Sequence, residues 1–146
     1  MSLLLDHVLS ELRGEQHALG FKAIEPIEAL ADLQTVAVAR PACFVLPAAE
    51  DYLTTQEGSG LINIEVTSRI DVVVMVDGAL KQGRRQNELV QISHNVRDLL
   101  FGWTPDSATW RPLVPEAARL LGVGGGHASY LTRFRTVSRI RKQGVL

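Results

Sequence analysis

The chain has 146 residues, 46% hydrophobic and 21% charged, with a formal net charge of -1. That length supports one core without staples, and that charge gives no reason for wholesale binding to nucleic acid or acidic membranes. A single cysteine, Cys43, excludes a disulfide framework and, inside the apolar run ACFVL, reads as a small core residue rather than a nucleophile or ligand. No apolar run reaches the ~18 residues of a membrane span. The start Met1-Ser2-Leu3 lacks the basic residues of a signal peptide, so cytoplasmic assembly with no membrane partner is expected.

Ser2 is placed to cap a first helix whose apolar residues Leu5, Val8, Leu9 and Leu12 fall at helical spacing. Gly14 weakens that helix and Gly20 is its natural stop. FKAI (21–24) reads as a short strand, and Pro26 as the first turn of a small helix over 28–33. ACFVLPA (42–48) reads as an apolar strand, with Pro47 marking a sheet edge or the strand's end. DYLTTQEGSG (51–60) is a polar loop or mobile hairpin arm, and 122–127 a second mobile segment. Asp51, Thr54, Gln56, Gly58, Gly124, Gly125 and His127 are therefore candidate docking residues, ordered on assembly.

The next stretch, INIEVTSRIDVVVMVD (62–77), alternates without a helical break. Ile62, Ile64, Val66, Ile70, Val72, Val74 and Val76 share one parity, interrupted only by Ser68. Asn63, Glu65, Thr67, Arg69 and Asp71 hold the other parity until Val73 and Met75 replace them. This predicts one buried face in the first half and two buried faces over 72–76. Sixteen extended residues span roughly 50 Å, whereas a domain of this size is about 30 Å across. Part of the strand must overhang its own domain.

A helix over 84–101 follows, with Leu89, Ile92, Val96, Leu99 and Leu100 as its stripe and Gly102 as its left-handed stop. A proline-rich loop carries Trp103 and Trp110, then ARLLGVGGG, a turn, and the alternating strand SYLTRFRTVSRIRK. The order α-β-α-β-β-α-β-β predicts one α+β domain over 1–146, a mixed or antiparallel sheet of long strands with helices on one face.

Catalytic chemistry finds no footing. His7, His17, His94 and His127 lack metal-ligand spacing, and adjacent Ser93 and His94 point about 100° apart on a helix. GVGGG lacks the Lys-Ser/Thr of a phosphate loop and reads as a hairpin turn, although a small-molecule site there is the rival reading. The carboxylates Glu50 and Asp51 have no identifiable counterpart. No catalytic, metal or cofactor residue is assigned, and the chain reads as a non-enzyme. One pattern stands out: Arg133, Arg135, Arg139 and Arg141 share one face of the last strand. They form a solvated basic face, or pair across strands with Glu65 and Asp71, or meet carboxylates on another subunit, or line a channel for DNA.

RPACFVLPAAE (40–50), the strand ending VVVMVD, the helix closing on VRDLLFGWTP (96–105) and the strand SYLTRFRTVSRIR (129–141) resemble the tail terminator (tail-completion, minor tail protein U-like) family of long-tailed bacteriophages. The resemblance implies a homohexameric ring in the virion, at the head-proximal end of the tail. It caps the tail tube, stops its polymerisation and offers the docking surface for the head and neck. Its partners would be other copies of itself, the tube protein and the neck connector, with DNA only in transit. A neck or head–tail connector protein is the alternative within virion assembly. In either ring, Glu65, Arg69, Asp71 and the arginine row become candidate interface or pore residues.

Overall fold

The computed structural model describes residues 3–34, 38–56, 60–78, 84–124 and 126–143. Helix α1 (Leu4–Gly14) and a one-turn α2 (Gln16–Leu19) precede strand β1 (Ala23–Pro26) and a 3-10 turn (Leu30–Gln34). Strands β2 (Ala42–Gln56) and β3 (Leu61–Asp77), helix α3 (Arg84–Leu100), and strands β4 (Val114–Gly124) and β5 (His127–Gln143) complete the chain. The five strands lie in the order β1-β2-β3-β5-β4; only β1–β2 is parallel. The fold is α+β with a mixed sheet, as the sequence indicated.

The parity of β3 sets the layers. Ile70, Val72, Val74 and Val76 join Cys43, Val45 and Phe134 on one face, against Val8, Leu9 and Leu12 of α1 and Leu89, Val96 and Leu100 of α3. Val73 and Met75 point the other way, to Phe44, Leu46, Leu131 and Leu33 of the 3-10 turn. Both faces of 72–76 are therefore buried. Toward the N-terminal end of β3 the inward parity weakens, since Val66 is buried but Ile62 and Ile64 are only half-buried. The strands outrun the helices there.

Several local expectations shift by their neighbours' demands. Ser2 lies outside the described residues; Leu3 occupies the cap position and its N–H donates to Asp6 Oδ2 at 3.4 Å. The first strand is 23–26 rather than 21–24, because Phe21 turns into the core and Lys22 N–H is taken by Pro41 O. Pro26 ends β1 instead of opening a helix, and the expected helix over 28–33 is a 3-10 turn at 30–34. The stripe of α3 is correct, and Gly20 (φ 82) and Gly102 (φ 80) supply the left-handed stops.

The largest change is at 51–56. These residues are not a loop but the continuation of β2, in register with β3 from Asp51↔Thr67 to Gln56↔Ile62. Their polar alternation matches a half-exposed strand, and long-range pairing decides what composition leaves open. Of the two expected forms, loop or hairpin arm, 51–56 match the strand of an arm, while 57–59 lie outside the described residues. Pro47 does lie at an edge, because β1 pairs only with 42–45 and β2 has no outer partner beyond Leu46 among the described residues.

Candidate functional site

The ends of β2, β3 and β5 form a three-stranded arm beyond the helices, with Thr54↔Ile64↔Ile140 and Leu53↔Glu65↔Arg139 as typical rungs. It is the overhang that the length of the alternation required.

The face away from the helices carries the charges. Arg133 grips Asp71 with both forks, Nε to Oδ1 at 2.8 Å and Nη2 to Oδ2 at 3.0 Å. The Asp71 side chain is 4% exposed and that of Arg133 38%. The hydrogen bonds and charge of Asp71 hold the Arg133 guanidinium above its ordinary pKa. Arg69 donates to Glu116 Oε2 at 2.8 Å and to the Asp51 carboxylate, and both raise its pKa, Glu116 most. Glu116 reaches it from the bulge where the β4–β5 register shifts. Arg135 faces Arg69 across the β3–β5 ladder, Arg139 faces Glu65 and Arg141 faces Asn63. All three remain exposed.

The expected arginine row is thus one row by geometry and two groups by chemistry. Arg133 and Asp71 satisfy each other within the chain, while Arg135, Arg139 and Arg141 project outward. The predicted docking residues divide similarly. Asp51, Thr54 and Gln56 lie on β2, Gly124 ends β4 and His127 begins β5. Gly58 and Gly125 lie outside the described residues.

The helix-side face of the arm carries exposed apolar groups. Tyr52 (61% exposed) and Ile140 (51%) border a groove of about 840 Å³ that runs from Leu3, Leu4 and Leu5 of the first helix past Trp110 to Val66. Trp110 is seated by its bridge to Ser138 and by an edge-on contact with the His7 ring, centroids 5.4 Å apart. Tyr52 donates its hydroxyl to Glu50 Oε2 at 2.5 Å, which raises the phenol's pKa. Sequence reasoning missed Tyr52, Leu53 and Ile140. The uncharged run YLTT (52–55) was the available signal, because an edge strand normally carries protective charges or proline.

Cys43 is fully buried, and desolvation pushes its thiol far up in pKa, away from the reactive thiolate. Among the described residues, no three His, Cys, Asp or Glu side chains gather to hold a metal ion. No helix among the described residues is long and apolar enough to cross a membrane.

The arm therefore combines a row of arginines with exposed large apolar side chains. A family profile described as Phage tail terminator protein matches residues 1–144. The chain belongs to the phage tail terminator family. It is therefore a structural protein of the phage virion. Among solved structures, a chain titled "Virion of native gene transfer agent (GTA) particle" shares the fold, with a TM-score of 0.60 and 17% identity. The match covers 94% of this chain and 95% of that one. No curated protein matches the sequence.

Proposed function

We propose that the protein acts without catalysis, as a homohexameric ring that caps the phage tail tube at its head-proximal end. The cap halts tube polymerisation and presents the surface on which the head and neck dock, with DNA crossing the ring only in transit. The observation that carries this reading is the arm, which leaves Tyr52, Leu53 and Ile140 exposed in a single copy. Large apolar side chains on a projecting sheet are covered by a partner in a working assembly. Family membership supports a structural role in the tail, and the tube protein and neck connector are the partners this reading expects.

Two measurements test the proposal. Native mass spectrometry over a range of concentrations should give a hexamer as the closed species. Electron microscopy of particles made without the protein should show tubes that overrun their normal length. Normal-length tails lacking heads would instead indicate a neck connector, and unchanged infectious particles would sink the assembly role.

A further inference from the structure

Among the described residues the arm has two free edges, and the hydrogen-bond alternation shows which residues present them. Val45 sends its carbonyl outward to Ile27 N–H, at 3.0 Å. Antiparallel pairing alternates inward and outward groups along a strand. Carried through the register, which skips one residue between Pro47 and Ala49, the outward positions become Glu50, Tyr52 and Thr54. On β5, Val137 O accepts from Arg111 N–H at 2.9 Å, so Arg139 and Arg141 turn the next backbone groups outward. Among the described residues, β4 pairs with β5 as far as Arg135, and the furthest bridge on that side is Trp110–Ser138.

These edges lie on opposite sides of the arm and differ in charge. One bears Glu50 and Asp51; the other bears Arg139, Arg141 and Lys142. A surface that matches a different surface on an identical copy makes a head-to-tail contact, which closes into a ring when the rotation allows. β2 and β5 both run antiparallel to β3, so they run parallel to one another. Rotation about a ring axis preserves that sense and keeps each sheet face on its own side.

We infer that the outer edge of β2, at 50–54, pairs in parallel with the outer edge of β5, at 139–142, of a second copy, so that the arms join into one continuous sheet. The inference rests on the ring proposed above and specifies its contact. It satisfies both faces together. Tyr52 and Ile140 share the helix-side face and cover each other's exposed surface. Asp51 shares the opposite face with Arg139 and Arg141, where unlike charges fix which edges meet.

Disulfide trapping tests the pairing. Tyr52→Cys or Thr54→Cys is combined with Ile140→Cys or Lys142→Cys, giving four variants. Within one subunit β3 separates these positions by two strand spacings, roughly 9–10 Å, beyond the ~7 Å that a disulfide tolerates between Cα atoms. Any bridge among them is therefore between subunits, and buried Cys43 does not interfere. Oxidation of the assembled protein should convert the denatured monomer band into a ladder ending at the closed ring. Hydrogen exchange on the unmodified protein gives a second reading. Amides of Tyr52, Thr54 and Arg141 should exchange fast in the free subunit and lose that fast exchange on assembly. A ring that forms with none of the four bridges and no new protection overturns the edge pairing while leaving the ring intact. Protection of Tyr52 and Thr54 only when tube protein is added assigns the β2 edge to the tube and also overturns it. A protein that stays monomeric at every concentration overturns the ring itself.

Discussion

Arg135→Glu combined with Arg139→Glu is expected to leave the subunit folded and remove its ability to assemble. Both side chains are exposed, and no ion pair within the chain engages either one among the described residues. Replacing such a residue usually changes stability by less than about 0.5 kcal/mol. The new carboxylate at 139 faces Glu65 across the ladder, while that at 135 faces Arg69, so the two local terms oppose each other. For a chain of this length, 1 kcal/mol moves Tm by about 2–4 °C, and the double variant should remain within that. At a contact where the arginines meet carboxylates away from water, the loss is about 2–5 kcal/mol. That weakens each contact roughly 30-fold to several thousand-fold. Native mass spectrometry should then show monomer where the parent forms rings, and tail completion should fail.

The compensating substitution follows from the structure. Asp71→Arg cannot restore an interface, because Asp71 is buried and already held by Arg133. Asp51→Arg is the change that should recover assembly, since Asp51, although held by Arg69, keeps its side chain 69% exposed on the β2 edge. Normal rings from the double arginine variant would show that Arg135 and Arg139 only meet solvent.

Arg133→Ala is expected to do the opposite, and to unfold the subunit more easily without reference to assembly. The change leaves the Asp71 carboxylate inside the sheet without the guanidinium that binds both its oxygens. Breaking a buried pair by removing one partner costs about 3–5 kcal/mol. Because Arg133 is 38% exposed and water screens the pair, the lower end applies, about 3 kcal/mol. Urea unfolding should show the midpoint falling with the slope unchanged. Replacing both partners, Asp71→Leu with Arg133→Met, should recover most of the loss, since no unpaired charge then remains buried. A single variant as stable as the parent would mean that the bidentate pair contributes nothing. Arg133 and Arg139 are six residues apart on the same face of one strand, so opposite outcomes for the two isolate environment from residue type.

The contrast shows where sequence reading stops. The alternation over 62–77 settled the strand, its inward parity and its excessive length, because side chains on a pleated strand take turns by geometry alone. The helical stripe at Leu89, Val96 and Leu100 and the stops at Gly20 and Gly102 were readable for the same local reason. The same-face placement of Arg133, Arg135, Arg139 and Arg141 was equally legible.

What each arginine does was not legible, since that depends on register, and register is a property of two strands. Only the pairing of β3 with β5 sets Arg133 opposite a buried Asp71 and Arg135 opposite another arginine. The same holds at 51–56, where a polar, glycine-flanked sequence becomes strand because β3 offers it a ladder. Glu116 could not be assigned to Arg69 from sequence, because a bulge between distant strands brings them together. Sequence by itself determined that an arm must project and which side chains share its faces. Tertiary structure decided which charges are satisfied within the chain and which backbone edges are left open, because both are set by contacts between segments far apart along it.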